Sequence, residues 1–183
     1  MRRSGLIGIG IATVVIGGIA IRIASSEVTE PTAVTEQIVG VPDSGWQVSR
    51  IVDGDTIVVT RGSERQKVRL LGIDTPESVR PDSPVECFGP EASDFATGVL
   101  QGRAVTLESD PTQGEMDDYG RRLAYVWYVD AAGKAVLFNV QTIAAGMARE
   151  YTYEAPYMRR DAFIAAQQEA RSANRGLWLA CAR

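Results

Sequence analysis

The stretch that decides the fold is VSRIVDGDTIVVTRGSERQKVRLLGI, residues 48–73. It contains three runs rich in β-branched residues, at 48–52, 56–60 and 66–73, which are typical of strands. Asp53-Gly54 and Gly62-Ser63 lie between these runs and supply the residues that tight turns prefer. The sequence therefore predicts three consecutive short strands joined by turns.

The elements that follow alternate between helices and strands. Gly89-Pro90-Glu91 predicts a helix start, with proline in the first turn, and that helix runs to about Leu100. A strand is predicted at 105–108, a hairpin at 123–129 and 135–138, and helices at 140–148 and 158–174. Five or more short strands with interleaved helices indicate a β-rich α+β fold built on a small barrel, rather than a parallel sheet.

The N-terminal residues differ from the rest of the chain. Arg2 and Arg3 precede an uncharged, apolar run at 6–21, which predicts a signal peptide or a transmembrane anchor over residues 1–24. Both alternatives place the arginines inside and the rest of the chain outside the cytoplasm. Residues 25–45 are rich in Ser, Thr, Glu and Pro and predict a flexible linker, and residues 46–183 are expected to form the folded domain.

Composition narrows the possible chemistry. The chain of 183 residues has no histidine and two cysteines, which excludes a catalytic histidine, a histidine-ligated zinc and a zinc cluster. The net charge is −4, which argues against tight, nonspecific nucleic-acid binding because phosphate contacts dominate such affinity. Outside the cytoplasm, Cys87 and Cys181 are expected to form a disulfide worth about 4 to 5 kcal/mol, although two buried, unlinked cysteines remain an alternative.

Two acidic clusters lie where strands end. Asp53-Gly54-Asp55-Thr56 occupies a turn and Asp74-Thr75-Pro76-Glu77 follows a strand, and oxygen ligands of this kind suit a hard cation such as calcium. A simple turn also explains Asp53-Gly54, and the spacing excludes an EF-hand. Taken alone, Arg69 and Arg121 are compatible with ordinary surface arginines.

Five stretches together resemble the staphylococcal nuclease family. They are IVDGDT at 51–56, VRLLGIDTPE at 68–77, FGPEA at 88–92, DYGRRLAYV at 118–126 and GLW at 176–178. The resemblance covers about residues 46–178, in order and without a large gap. It implies a five-stranded OB-fold barrel with three helices, preceded here by the N-terminal segment and the linker.

The resemblance also implies a metal site for Ca²⁺. Asp55 and Asp74 match the carboxylate ligands, and Thr75 matches the residue that supplies its backbone carbonyl. Asp53 matches an acid that reaches the metal through water. Glu77 matches the proposed general base.

Further matches concern the substrate. Arg69 and Arg121 match the two arginines that bind the phosphate, and Tyr119, Tyr151 and Tyr153 match the tyrosines of the nucleotide pocket. The implied activity is calcium-dependent hydrolysis of DNA and RNA, preferably single-stranded, giving 3′-phosphate and 5′-hydroxyl ends. The enzyme is expected to act outside the cytoplasm as a monomer, secreted or attached to the membrane.

Two features depart from the family pattern. Asp118 stands where staphylococcal nuclease has a lysine, and the predicted domain is acidic. The main alternative is a catalytically inactive domain of the same fold that binds nucleic acid or protein. A nuclease of the PD-(D/E)xK type is disfavoured because Glu64 and Lys67 have the wrong spacing, and nothing in the site region favours a purely structural envelope protein.

Overall fold

The computed structural model describes residues 37–78 and 84–181. The predicted N-terminal segment at 1–24 lies outside these ranges, as does most of the predicted linker. Within them the chain forms eight strands and four helices. The strands are β1 (Pro42–Asp53), β2 (Thr56–Arg61), β3 (Glu64–Leu70), β4 (Ile73–Asp74), β5 (Ala104–Glu108), β6 (Arg122–Val129), β7 (Ala135–Leu137) and β8 (Arg149–Glu150). The helices are α1 (Gly89–Leu100), α2 (Phe138–Ala144), α3 (Arg160–Ser172) and α4 (Leu177–Ala180).

Five of the strands close into a barrel. The antiparallel order β3-β2-β1-β5-β6 is completed by a parallel pairing of β3 with β6, so both ends of the sheet meet. β7 extends the sheet beside β6, and β4 pairs with β8 in a separate two-stranded sheet. The predicted five-stranded OB-type barrel with helices is confirmed.

The barrel interior is filled by alternate residues of its strands. Val48, Ile57, Val68 and Leu107 are fully buried, as the two-residue period of a strand requires. Three helices cover the barrel with fully buried apolar residues: Ala92, Ala96 and Leu100 from α1, Phe138 and Ile143 from α2, and Phe163 and Ala170 from α3. This rigid scaffold carries the loops and strand ends described below.

The first strand begins earlier than the pattern predicts. β1 starts at Pro42, inside the segment predicted to be linker. Asp43 explains the difference, because its two oxygens pair with Arg61 at 2.5 Å and with Arg122 at 2.6 Å. These partners lie 18 and 79 residues away along the chain, so local composition does not reveal them.

The third predicted strand is divided in two. β3 ends at Leu70 and β4 begins at Ile73, with Gly72 at a positive φ of 73° between them. A Cβ atom at Gly72 would lie 2.7 Å from the Tyr157 ring, so glycine is required both by conformation and by packing. The break directs Asp74 away from the barrel and toward β8.

The helices also differ at their ends from the predicted ranges. α2 begins at Phe138, which the pattern assigned to the hairpin, and the short helix α4 was not predicted.

Among residues 37–78 and 84–181, none of the helices has the length and apolar character needed to span a membrane.

Candidate active site

Arg69 lies between two carboxylates at one edge of the barrel. Its Nη1 is 2.5 Å from Asp55 Oδ2, and its Nη2 donates to Asp74 Oδ1 at 3.1 Å. Nη1 is buried but makes no hydrogen bond within the described residues, so its contact with Asp55 is an ion pair without hydrogen-bond geometry.

Strand pairing brings these three residues together. Thr56 pairs with Arg69 across β2 and β3, which places the preceding Asp55 beside the arginine. The parallel β3–β6 pairing sets Arg69 opposite Leu123, so Arg121, two residues earlier, reaches the same edge. β3 and β6 are about 50 residues apart along the chain, and they come together because the barrel closes.

Thr75 is held against Asp55. The Thr75 amide donates to Asp55 Oδ2 at 3.1 Å, and Thr56 Oγ1 donates to Asp55 Oδ1 at 2.9 Å. Thr75 Oγ1 is buried and has no hydrogen-bond partner in the described part of the chain. The loop after β4 is therefore fixed by its backbone, while a polar side-chain atom beside the carboxylates stays unsatisfied.

Asp53 is buried and accepts several hydrogen bonds. Its Oδ1 receives the hydroxyls of Ser78 and Ser93 at 2.7 and 2.8 Å, and the amide of Gly54 at 2.9 Å. Ser93 belongs to α1, so Asp53 links the β1–β2 turn to that helix and to the segment after Glu77. The structure thus gives Asp53 a positioning role close to the acidic loops.

Glu77 is half-buried, and its backbone is fixed by the start of α1. The Glu86 amide donates to the Glu77 carbonyl at 2.9 Å, and the Glu77 amide donates to Glu86 Oε2 at 3.2 Å. A Cβ atom at Gly89 would lie 2.6 Å from the Glu77 carbonyl oxygen. Only glycine therefore allows α1 to begin this close to Glu77.

Arg121 is oriented by Asp117. Arg121 Nε lies 2.6 Å from Asp117 Oδ2, its amide donates to Asp117 Oδ1, and its guanidinium carbon is 5.2 Å from the centre of the Tyr119 ring. Burial by itself would raise the pKa of Asp117, but the hydrogen bonds from Arg121 lower it below its ordinary value. The two remaining guanidinium nitrogens are left for another anion.

A cleft of about 660 Å³ lies at this edge of the barrel, and Asp53, Asp55, Thr75 and Glu77 are not part of its lining. Tyr119 and Tyr153 are 84% and 70% exposed, so their rings are available for contact with a bound molecule. The Tyr151 and Tyr153 rings lie 6.3 Å apart. Six predicted site residues line the cleft: Arg69, Asp74, Tyr119, Arg121, Tyr151 and Tyr153. Asp55 and Thr75 join them through the contacts of Arg69 and Asp55.

The charge on Asp74 is disfavoured by its surroundings. Desolvation and the carboxylates of Asp55 and Glu86 raise the pKa of Asp74 above its ordinary value, and the Arg69 guanidinium opposes this shift. A carboxyl group with a perturbed pKa in a cleft is typical of functional sites.

A family comparison explains this constellation. The model of the staphylococcal nuclease homologues matches residues 67–180, which contain most of the cleft. The chain belongs to the staphylococcal nuclease family. The resemblance seen in the five sequence stretches is therefore confirmed.

Relatives of this family with named activities cover most of the chain. The thermonuclease of Staphylococcus hyicus is 40% identical over 133 residues, which span 73% of this chain and 75% of that protein. The thermonuclease of Staphylococcus intermedius is 38% identical over the same shares. Endonuclease YncB of Bacillus subtilis is 38% identical over 152 residues, which span 79% of this chain and 69% of that protein. Together with the site residues, these relatives identify the chain as a nuclease of the family.

Several residues that build the site were not predicted from the sequence. Ser78 and Ser93 bind Asp53, Glu86 holds the Glu77 backbone, and Asp117 orients Arg121. For Asp117 the sequence does hold a signal, because an aspartate shortly before a glycine is typical of a turn. In the structure it accepts from the amides of the residues two and four positions later. The other three contacts join distant segments and have no local signal.

Two of the described carboxylates have the chemistry of ligands for a hard cation. Among residues 37–78 and 84–181, no group of three or more His, Cys, Asp or Glu side chains could hold a metal. Asp55 and Asp74 nevertheless supply two carboxylates on either side of Arg69, beside the unsatisfied Thr75 Oγ1. Calcium accepts carboxylate, carbonyl and water oxygens together, so a site with two carboxylates is suited to it when water completes the coordination.

The structure also contains a disulfide between Cys87 and Cys181. Cys87 lies two residues before the start of α1, and Cys181 directly follows α4. The bond ties the end of the described chain to the loop that holds Glu77.

Proposed function

We propose that this nuclease depends on calcium, cleaves DNA and RNA with a preference for single strands, and leaves 3′-phosphate and 5′-hydroxyl ends. The observation that carries the proposal is the position of Arg69, between Asp55 and Asp74 and at the end of the tyrosine-lined cleft. The arginines match the phosphate of a nucleotide, the exposed tyrosine rings match its base, and the carboxylates match the calcium ion.

The cleft favours an unpaired strand. The rings of Tyr119, Tyr151 and Tyr153 offer surfaces on which bases can stack, and every base has a face that stacks in this way. Bases in a duplex are already stacked and paired, so they reach these rings less readily. The cleft lining gives no ground for discriminating RNA from DNA.

Two arginines are in place to hold the phosphate. Arg69 is held by Asp55 and Asp74 at the end of the cleft, and Arg121 has nitrogens beyond the one that Asp117 engages in the described part of the chain. Guanidinium groups donate paired hydrogen bonds to phosphate oxygens and stabilise the charge that develops during hydrolysis. Asp55 and Asp117 fix both side chains before substrate arrives, which reduces the cost of ordering them.

Asp55, Asp74 and the Thr75 carbonyl would hold the calcium ion. When bound, calcium supplies positive charge for a phosphoryl oxygen and helps to orient water. Glu77 is positioned on the neighbouring loop and would accept a proton from the attacking water, which requires it to be ionised at the working pH.

We also propose that the enzyme acts outside the cytoplasm. The Cys87–Cys181 disulfide supports this location, because such bonds persist in oxidising compartments. The apolar run at 6–21 supports export or attachment to the membrane. A monomer is sufficient for the proposed site, since all its groups come from one chain.

A digestion assay tests the proposal. The full chain is incubated with heat-denatured DNA in calcium, in magnesium alone and with a chelator, beside Glu77→Gln and the control Glu91→Gln. Glu91 is an exposed acid in the first turn of α1. We expect cleavage only with calcium, a loss of about 10²- to 10⁴-fold for Glu77→Gln and no change for Glu91→Gln.

Two results would contradict the proposal. Equal cleavage in chelator would exclude dependence on calcium, and full activity of Glu77→Gln would exclude this residue as the base. A folded, calcium-loaded protein without any cleavage would instead favour the inactive binding domain.

A further inference from the structure

A second cationic surface adjoins the cleft. Arg149 of β8 and Arg171 of α3 place their guanidinium carbons 5.6 and 5.5 Å from the centre of the Trp178 ring. These three residues line a cavity of about 360 Å³ together with Asn174, Leu177 and Cys181. The cavity is separate from the tyrosine-lined cleft.

Neither arginine is neutralised by an acidic partner. Arg149 and Arg171 are exposed and form no ion pair within the described residues, whereas Arg61, Arg69, Arg121, Arg122 and Arg159 all do. Two cations near one ring repel each other. An anion bound between them would remove the repulsion.

Trp178 adds a second unsatisfied feature. Its Nε1 is buried and has no hydrogen-bond partner among residues 37–78 and 84–181. Because this nitrogen is buried, a ligand in the cavity does not reach it, and the match to the anionic backbone of a nucleic acid rests on the two exposed guanidiniums beside the indole ring.

β8 connects this surface to the active site. Arg149 pairs with Asp74 across the β4–β8 ladder, so the two residues are direct neighbours. Tyr151, two residues after Arg149, lines the tyrosine cleft. A strand that leaves the cleft past Tyr151 and Asp74 would therefore meet Arg149 next and then Arg171.

We propose that Arg149, Arg171 and Trp178 form a second phosphate-binding site, which holds the backbone of single-stranded DNA or RNA outside the scissile nucleotide. This inference rests on the proposed nuclease function and extends it from one nucleotide to a longer strand. It gives the acidic protein a local positive surface for substrate. The disulfide at Cys181 fixes the end of α4, which carries Trp178.

The test compares substrates of different length. Wild type, Arg171→Gln and Arg171→Lys are assayed with a dinucleotide and with a single strand of about 12 nucleotides, as a function of salt. Arg175→Gln is the matched control, because Arg175 lies three residues after the end of α3 and its guanidinium pairs with Glu169 at 2.8 Å. Thermal melting of each variant shows whether it is folded.

We expect KM for the longer strand to rise roughly 3- to 10-fold in Arg171→Gln, with kcat retained and most affinity restored in Arg171→Lys. The slope of log affinity against log salt should fall by about 0.7, as for one lost phosphate contact on a single strand. Arg175→Gln should match wild type. In chelator, the affinity for the longer strand is measured by fluorescence anisotropy. It should be highest for wild type and Arg175→Gln, lower for Arg171→Lys and lowest for Arg171→Gln.

An equal change for both substrate lengths, or no change for the longer strand, would overturn the second site. Failure of the nuclease function is distinguishable, because wild type would then cleave neither substrate. If a variant has a lowered melting temperature, its affinity for the longer strand is measured by anisotropy at a temperature below its unfolding transition. An affinity equal to that of wild type would again overturn the second site.

Discussion

Asp55 and Glu108 are both buried carboxylates that face an arginine, yet their surroundings differ. Glu108 Oε1 accepts from the amides of Val39 and Gly40, and Oε2 accepts from Trp127 Nε1 at 2.6 Å. Arg159 Nη2 donates to both oxygens at 2.9 and 3.0 Å. Glu108 is completely buried, and both of its oxygens are satisfied.

Arg159 is also enclosed. Its Nε makes no hydrogen bond to the residues that the structure describes, but its guanidinium carbon lies 5.3 and 5.1 Å from the ring centres of Tyr125 and Trp127. Cation–π contacts of this kind compensate part of the lost hydration. The Glu108 pair therefore resembles a structural ion pair, closed on every side by protein groups.

At Asp55 the charges are shared and incompletely satisfied. One arginine serves both Asp55 and Asp74, and Thr75 Oγ1 lacks a hydrogen-bond partner in the described residues. The surroundings also raise the pKa of Asp74. The comparison teaches that buried charge alone does not identify a site, whereas unsatisfied atoms beside an open cleft do.

The largest expected effect on stability concerns the buried Glu108–Arg159 ion pair. Glu108→Gln removes the charge that compensates Arg159, so the free energy of unfolding should fall by about 3 to 5 kcal/mol. Urea unfolding measures the change, with Glu64→Gln on the exposed β2–β3 hairpin as control. A loss below about 1 kcal/mol would mean that Arg159 finds other partners, and Glu108 would not be the structural counterpart of Asp55.

Removing the charge of Asp74, at the edge of the cleft, should affect stability in the opposite sense. Asp74→Asn removes a like charge near Asp55 and Glu86, so stability in chelator should stay equal or rise slightly, while activity falls about 10²- to 10³-fold. The rise in melting temperature on adding calcium should also disappear. Asp94→Asn, an exposed acid on α1, is the control. Strong destabilisation in chelator would show that Asp74 is a structural residue like Glu108.

A smaller effect concerns Asp43, a third carboxylate with arginine partners. Partial burial would raise its pKa, but the hydrogen bonds from Arg122 and Arg61 outweigh burial and lower the pKa to about 2. Its folded pKa lies below the unfolded value, so its contribution is present above about pH 4 and is lost as pH falls through 2.

Asp43→Asn should therefore cost about 1 kcal/mol at neutral pH, and the difference from wild type should shrink as pH falls from 4 toward 2. Unfolding free energies of both proteins across this range test the prediction, with Asp94→Asn as the control. A constant difference over the whole range would show that the carboxylate charge of Asp43 contributes nothing.

Most of the fold could be predicted from the sequence, because its signals are local. The run of β-branched residues in β2 and the proline at the start of α1 specify elements through neighbouring residues alone. The turn glycine at Gly54 is also packed against Thr75 and Ala92. Where prediction failed, as at the start of β1 and the break at Gly72, the decisive contacts come from distant residues such as Arg122 and Tyr157.

The sequence by itself determined the family and the residue types that can perform the chemistry. Motifs such as DGDT and DTPE name Asp55, Asp74 and Glu77 without any coordinates. They do not show how these acids meet Arg69 and Arg121. Only tertiary structure decided that, because the parallel closure of β3 on β6 and the break before β4 place distant segments at one edge. The unpaired arginines beside Trp178 also became visible only there, since a missing partner is a property of three-dimensional neighbours.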